Sequence, residues 1–223
     1  MAISIGFLIF PQIQQLDLTG PYEVFTAAAG TRVDLVWKTR EPVISSTGLA
    51  FQPNATFADS PQHDVFCIPG GAGVNALLED EAVLDFVRRQ AAGARLVTSV
   101  CTGSLVLGAA GLLQGRKAAT HWYAMDFLQA FGTEPVAERV VRDGNLITAG
   151  GITSGIDFGL AVIAELLGAE EAETVQLALE YAPAPPFSSG TPDAASATVL
   201  AAARQRLSGS RQQREAILAR MAS

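Results

Sequence analysis

Stretches of apolar, strand-forming residues alternate along this chain with segments of helical periodicity. Parallel strands need a crossover connection, usually a helix, so this alternation predicts an α/β fold with a mostly parallel central sheet covered by helices on both faces. Strands are expected at residues 3–10, 33–38 and 64–69 and in a run ending at Val100, with a shorter patch at 43–51. Helices are expected over 20–28, 81–92 and 121–131, from residue 102, and after residues 151 and 169. The 223 residues suffice for one such domain with a sizeable core.

The last part of the chain departs from this alternation. Asp143-Gly144 is a turn dipeptide between two apolar runs and predicts a β-hairpin. A proline-rich stretch at 182–187 cannot continue a helix, so we expect it to close a domain of residues 1–187. Residues 188–223 are expected to form a C-terminal helical extension packed on that domain or on a dimer mate. Five arginines follow a helical pattern there, which favours a solvated helix over a basic recognition helix.

Charge and composition exclude several classes of function. The chain has 22 acidic and 15 basic residues, a formal charge of −7, so it should repel a phosphate backbone and have no nucleic-acid partner. The first residues lack a basic segment before an apolar one, and no apolar run is long enough to cross a bilayer, so we expect a cytoplasmic protein with no membrane partner. Two cysteines, two histidines and no clustered carboxylates predict neither a disulfide framework nor a metal site.

The sequence Ser-Val-Cys-Thr-Gly-Ser at 99–104 places a thiol, Cys101, where a predicted strand ends. Ligands of open α/β sheets bind beyond the carboxyl ends of strands, and Gly103 permits a tight turn that would hold the thiol exposed above the sheet. Amides at the start of the next helix would lower the pKa of Cys101 and favour the thiolate. We therefore predict a reactive cysteine rather than a small residue packed between strand and helix. Cys67, inside a continuous apolar strand, is expected to be structural.

A nucleophilic thiol also needs groups that move protons. Thr102 follows Cys101 at the position where an imidazole would have been a convenient base, so no Cys-His pair exists in the sequence. His121 could approach the thiol in space, but capping of the following helix is the favoured role for a lone histidine at such a position. The histidine is therefore left outside the predicted catalytic set.

Asp17 is the more suggestive acid. It follows the first strand and its loop, so it should lie at the same sheet edge as Cys101, with Thr19 and Pro21 marking the start of a helix just beyond it. Its place between two leucines suggests burial, and a buried carboxyl beside a thiolate would have a raised pKa and could hold a proton. Helix capping or a solvated loop explains the residue equally well at this point.

Two glycine-rich turns complete the predicted site. Gly70 and Gly71 follow the buried strand, and their backbone amides could approach a substrate closely enough to stabilise negative charge. A phosphate cradle is disfavoured because the turn has no Lys-Ser/Thr ending. Gly150, Gly151 and Ile152 follow another strand and offer further amides, although plain turn geometry is an equal explanation.

Together these residues resemble the DJ-1/PfpI superfamily, which is related to class I glutamine amidotransferases and has a flavodoxin-like sandwich fold. The shared features are the Cys101 elbow, the Ile68-Pro69-Gly70-Gly71 turn and the acid after the first strand. Within the superfamily the chain is most similar to the bacterial isocyanide hydratases, also called isonitrile hydratases. That similarity rests on the joint presence of four segments, residues 15–21, 99–115, 138–146 and 177–187.

The resemblance implies a homodimeric, cofactor-free enzyme that adds water to an isocyanide and releases an N-substituted formamide. It implies Cys101 as the nucleophile, Asp17 as the acid and base, and Thr102 as a supporting polar residue. The chemistry agrees, because an isocyanide carbon is open to thiolate attack and the resulting thioimidate needs a proton on carbon and then an activated water.

Other members of the superfamily supply the rival functions. Peptidase-like and some glyoxalase-like members carry His after the cysteine, where Thr102 stands, and commonly use a glutamate in place of Asp17. The N-terminal halves of certain AraC-type regulators look similar, but a helix-turn-helix domain of about one hundred residues follows them, and the chain after Pro186 is expected to be too short for one. The alternative left open is a free-standing ligand sensor or a redox or stress-response protein, which would bind or oxidise at Cys101 without releasing product.

Overall fold

A seven-stranded sheet forms the centre of the protein, which a computed structural model describes for residues 2–221. Its strands in chain order are β1 (Ile3–Leu8), β2 (Thr31–Trp37), β5 (Ala55–Thr56), β6 (Val65–Ile68), β7 (Leu96–Val100), β10 (Val140–Asp143) and β11 (Leu146–Ala149). They lie in the order β10-β11-β7-β6-β1-β2-β5, and every neighbouring pair is parallel except β10 with β11. The predicted α/β fold with a mostly parallel sheet is confirmed.

Helices cover the sheet in two groups. They are α1 (Gln15–Ala27), α2 (Val74–Leu77), α3 (Glu81–Gly93), α4 (Gly103–Ala109), a 3₁₀ helix (Trp122–Phe131), α5 (Ser154–Leu167), α6 (Ala169–Ala178) and α7 (Ala197–Met221). Helices α1, α5 and α6 pack together, and α2, α3, α4 and the 3₁₀ helix form the second group. The central strands β6 and β7 are buried along their whole length, as expected when both faces of a parallel sheet are covered.

Two helices differ from their sequence expectation. Helix α1 begins at Gln15, so Thr19 and Pro21 lie inside it and do not mark its start. Pro21 is tolerated because it is buried against α5, where a Cβ added to Gly155 would approach Pro21 Cδ to 2.9 Å. The helix expected over 121–131 is a 3₁₀ helix rather than an α-helix, and it ends at Gly132 in the left-handed conformation.

The later and shorter segments complete the fold. The hairpin expected around Asp143-Gly144 is confirmed as the antiparallel pair β10 and β11. Four short strands form two small sheets outside the main one: β3 (Val43–Ile44) with β4 (Ala50–Phe51), and β8 (Lys117–Ala118) with β9 (Glu134–Pro135). Within residues 2–221, no helix combines the length and the apolar character needed to span a membrane.

Helix α7 packs on the 3₁₀ helix and on α2. Arg211 donates to both carboxylate oxygens of Asp126, at 3.0 and 2.6 Å, and Asn75 donates to the carbonyl oxygen of Ser210 at 3.0 Å. Ile217 of the same helix is buried in the hydrophobic core. The C-terminal helix therefore lies beside the ends of β6 and β7, where the predicted site residues are found.

Candidate active site

Cys101 occupies the turn between β7 and α4 in a left-handed conformation, with φ at +57°. This backbone conformation costs a residue other than glycine about 1–2 kcal/mol. Hydrogen bonds hold it in place: the Cys101 N–H donates to the carbonyl oxygens of Ala149 and Gly150, both at 3.0 Å, and Thr120 Oγ1 donates to the Cys101 carbonyl at 2.9 Å. The structure thus places the thiol at a strained elbow beyond the carboxyl end of a central strand.

The Cys101 side chain lies below the surface, and the residue is only 5% exposed. Burial and the neighbouring charge of Asp17 raise the pKa of Cys101 well above its usual value, while the backbone amides of Thr102 and Ile152 lower it. The expectation of a depressed pKa is therefore wrong, because desolvation and a carboxylate outweigh the amides at the start of α4. The expectation of an exposed thiol is also wrong, because the walls of a cavity enclose the thiol.

Asp17 lies in the first turn of α1 and is fully buried. Its Oδ2 accepts the Gly70 N–H at 3.0 Å, whereas its buried Oδ1 has no hydrogen-bond partner in the part of the chain that the structure describes. Burial raises the pKa of Asp17 to about 7, against the opposing effects of the Cys101 side chain and the Gly70 amide. The predicted burial and raised pKa are confirmed, and the carboxyl can take up or release a proton near neutral pH.

The glycine turn after β6 connects the acid to Thr102. Thr102 Oγ1 accepts the Gly71 N–H at 3.1 Å, just as Asp17 accepts the amide of Gly70. A Cβ added to Gly70 would lie 2.6 Å from the Thr102 nitrogen and 2.7 Å from Asp17 Oδ2, so only glycine permits this approach. These two amides therefore position the side chains around Cys101, whereas the sequence assigned them to the substrate.

The turn after β11 supplies the opposite side of the site. The Gly150 N–H donates to the carbonyl oxygen of Arg139 at 3.0 Å, so it too is used within the fold. Ile152 has a positive φ of +22°, and its amide is one of the two that lower the pKa of Cys101. Of the five backbone positions considered from the sequence, Ile152 is the one whose N–H acts on the sulfur.

His121 lines the same cavity but is held in a structural role. Its Nδ1 accepts the N–H of Tyr123 at 3.2 Å, which confirms the predicted capping of the following helix. A Cβ added to Gly151 would come within 2.4 Å of the ring, so this glycine makes room for the histidine. Burial and the charge of Arg214 lower the pKa of His121 to about 4, so the ring is neutral at neutral pH.

The remaining cysteine and histidine do not line this cavity. Cys67 is fully buried in β6, where burial raises its pKa to about 12, as expected for a structural thiol. His63 precedes the other end of β6, and its Nε2 lies 3.1 Å from Asp34 Oδ2. Across residues 2–221, no three His, Cys, Asp or Glu side chains are grouped closely enough to hold a metal ion.

A cavity of about 270 Å³ opens above Cys101 and Thr102. Its far wall comes from α7, through Arg206, Leu207, Ser210, Arg211 and Arg214. We expected this helix to be a solvated extension packed on the domain or on a dimer mate, and its contribution to the site was not predicted. The usable signal was the spacing of residues 207, 211 and 214, which places one leucine and two arginines on one face of a helix.

Comparison with known proteins agrees with this geometry. Residues 3–165 match the DJ-1/PfpI family. An isonitrile hydratase from Pseudomonas putida is 60% identical over 223 residues, which cover 100% of this chain and 98% of that protein. The structure of a THiJ/PfpI family protein from Pseudomonas syringae has a TM-score of 0.94 at 41% identity, covering 98% of this chain and 91% of that chain. Drosophila melanogaster DJ-1beta has a TM-score of 0.75 at 28% identity, covering 82% and 100%. The protein is a member of the DJ-1/PfpI family.

Proposed function

We propose that this protein hydrates isonitriles to N-substituted formamides, with Cys101 as nucleophile and Asp17 as acid and base. The relative from Pseudomonas putida that carries the name isonitrile hydratase matches the whole chain at 60% identity. The observation that carries the proposal is the buried Asp17 carboxyl, whose Oδ1 is unpartnered among the described residues, next to a thiol held at a strained elbow. That pair can exchange one proton at neutral pH.

The first half of the reaction forms a thioimidate. The Cys101–Asp17 pair holds one proton, which resides on Asp17 when the sulfur is the thiolate. The sulfur attacks the terminal carbon of the isonitrile and forms the C–S bond, while the Asp17 proton passes to that carbon. The products are R–N=CH–S–Cys101 and an ionised Asp17. Because the pKa of Cys101 is raised, the thiolate forms only when its proton moves to Asp17, and it is not a standing charge.

The second half of the reaction uses water. Ionised Asp17 takes a proton from a water molecule as the hydroxide adds to the thioimidate carbon, and the proton passes on to the nitrogen. Asp17 then accepts the hydroxyl proton as the C=O bond forms and the C–S bond breaks. The formamide R–NH–CHO leaves, and the pair again holds one proton. The amides of Thr102 and Ile152, which act on the sulfur, stabilise it as the leaving thiolate.

We expect kcat/KM for an uncharged aryl isonitrile to rise as the pH rises through about 7. Below the pKa of Asp17 both the carboxyl and the thiol are protonated, so the singly protonated, active pair is lost about tenfold per pH unit. Above that pKa the rate should stay level until the thiol itself ionises. Initial rates corrected for uncatalysed hydrolysis measure the profile. A rate that is constant or falls from about pH 6 to about pH 8 would contradict the assignment of Asp17.

The function itself is tested by multiple-turnover release of formamide. Purified protein is mixed with phenyl isonitrile in large excess and without added metal, and chromatography measures N-phenylformamide. Release of many equivalents per protein chain supports the hydratase. Release of no more than one equivalent favours the sensing or redox alternative, in which Cys101 binds or is modified without turnover.

Three further statements are proposals of ours. The resemblance supports a homodimer. The sequence pattern supports a cytoplasmic location and a division into a domain of residues 1–187 and an extension of residues 188–223, which here completes the wall of the cavity. The exposed apolar side chains of Leu177 and Phe187, each 82% exposed, are consistent with a surface that a second copy covers. Light scattering of the purified protein is expected to give twice the chain mass of 23.3 kDa. The mass of a single chain would contradict the dimer.

A further inference from the structure

Arg214 is a buried cation in the wall of the active-site cavity. The residue is 5% exposed, although arginine is rarely buried without a partner. Its Nη2 donates to Ser210 Oγ at 3.4 Å, and its guanidinium lies 5.7 Å from the ring centre of Phe127. Its Nε is buried and makes no hydrogen bond within residues 2–221. Within residues 2–221 this guanidinium makes one hydrogen bond, so most of its five N–H donors have no partner in the protein.

The neighbouring Arg211 makes different contacts. Arg211, one turn earlier, pairs with both oxygens of Asp126 and with Glu215 Oε1 at 2.9 Å. For Arg214, none of the described residues supplies a carboxylate partner. Burial lowers the pKa of Arg214, but from so high a starting value that the guanidinium stays charged. Within residues 2–221, this positive charge therefore has no carboxylate counter-ion in contact with it.

Arg214 lies near the reacting end of the cavity. Its charge contributes to the low pKa of His121, and negative charge on Cys101 would in turn raise the pKa of Arg214. Both of those residues line the same cavity of about 270 Å³. A small molecule whose terminal carbon reaches the sulfur of Cys101 can therefore extend toward Arg214 within this cavity.

We propose that the natural isonitrile of this enzyme carries an anionic substituent, of the carboxylate class, which binds the Arg214 guanidinium. A carboxylate offers two oxygens to a planar fork of N–H donors, and that pairing is strong where water is excluded. The substituent supplies the missing counter-ion and fixes the direction in which the isonitrile carbon points. This inference rests on the proposed function, since it specifies the substrate of the same site.

The main competing role for Arg214 is electrostatic support of the Cys101 thiolate. The two roles differ in their dependence on substrate. Support of the thiolate would affect every isonitrile equally, whereas a carboxylate-binding role would affect only the charged ones. Paired substrates that differ by one charge therefore separate the two roles.

The experiment compares isocyanoacetate with its methyl ester in the wild-type enzyme, Arg214→Met, Arg214→Lys and Arg204→Met. Arg204 lies exposed on the same helix and does not line this cavity, so its variant loses the same charge as a control. The wild type should prefer the acid by at least about tenfold in kcat/KM, because a hydrogen bond to a charged group is stronger than one to a neutral group by about that factor. Arg214→Met should lower kcat/KM for the acid about a hundredfold and for the ester less than about threefold. Arg214→Lys should restore part of the loss.

Two results would overturn the inference. One is a wild-type enzyme that turns over both compounds with no preference for the acid, a comparison that needs no variant to fold. The other is an equal loss for acid and ester in Arg214→Met, which would assign the residue to the thiolate. In both cases the isonitriles are still hydrated, so the proposed function survives.

Binding of the product gives a readout that does not depend on turnover. Titration calorimetry should detect N-formylglycine binding to the wild type and to Arg204→Met, with affinity at least about tenfold weaker in Arg214→Met. The uncharged N-formylglycinamide should bind all three alike. If no isonitrile is hydrated while N-formylglycine still requires Arg214, the proposed function fails and the anion site stands. Equal binding of N-formylglycine to the wild type and Arg214→Met would overturn the site.

Discussion

Replacing Cys101 by serine is expected to lower kcat/KM for isonitrile hydration by at least ~10³-fold. A serine hydroxyl fits the same elbow and can keep the same backbone hydrogen bonds, so the fold should survive. Its oxygen, however, does not give up a proton to a carboxyl whose pKa is about 7, and no covalent intermediate can form. Initial rates of formamide release measure the loss.

Cys67 offers a matched control for this substitution. It is the other cysteine of the chain, is fully buried in β6, and does not line the cavity above Cys101. Cys67→Ser should cost about 1–3 kcal/mol of stability, because a hydroxyl replaces a thiol inside an apolar strand. The kcat/KM of the variant should stay within about threefold of the wild type. Activity of Cys101→Ser within tenfold of the wild type would remove Cys101 from the reaction.

Replacing Asp17 by asparagine is expected to abolish most of the activity and, above neutral pH, to stabilise the protein. General acid and base catalysis by one group contributes about 10²–10⁴-fold, which sets the expected loss of kcat. The gain in stability follows from the buried charge: the pKa of Asp17 is raised from 3.8 to about 7 on folding. Each pKa unit corresponds to about 1.4 kcal/mol, so ionised Asp17 costs the folded state about 4 kcal/mol as an upper value.

The sign of this effect depends on pH. Between about pH 4 and about pH 7 the unfolded chain ionises at Asp17 while the folded protein keeps the proton, so wild-type stability falls as the pH rises. Above about 7 both states are ionised and the cost is constant. Asparagine carries no charge and can still accept the Gly70 N–H, but its amide hydrogens lack a partner, so part of the gain is lost. We expect Asp17→Asn to be about 2 kcal/mol more stable than the wild type at pH 8 and about equal at pH 5.

Urea unfolding at the two pH values measures the difference. Asp59 provides a control of opposite sign, because hydrogen bonds from Thr56 and Arg40 lower the pKa of Asp59 to about 2. Asp59→Asn should therefore be less stable than the wild type at pH 8. An Asp17→Asn variant that is less stable than the wild type at both pH values would show that the ionised Asp17 carboxylate does not destabilise the folded state.

The features predictable from the sequence are those that local pattern determines. Alternating apolar and helical runs predicted the parallel sheet, and Asp143-Gly144 predicted the hairpin, because strand periodicity and turn chemistry are properties of neighbouring residues. The meeting of Asp17 and Cys101 followed from a topological rule, since the carboxyl ends of parallel strands lie at one edge of the sheet.

The features missed depend on distant parts of the chain. The pKa of Cys101 is set by its burial and by a carboxylate from another element, and a local argument from the start of α4 gave the wrong direction. Pro21 suggested a helix start, but packing against α5 keeps it inside α1. Arg214 reaches the cavity because α7 folds back over the 3₁₀ helix, a contact that no short segment encodes.

The most direct test of the account is detection of the thioimidate on Cys101. Enzyme and phenyl isonitrile are mixed for increasing times and quenched with acid, and the peptide containing Cys101 is analysed by mass spectrometry. Addition of a thiol to an isonitrile loses no atoms, so the mass of the Cys101 peptide should increase by that of the whole isonitrile. This adduct must form on Cys101 and decay at the rate at which N-phenylformamide appears. Formamide that accumulates at the full rate with Cys101 unmodified throughout would contradict the account.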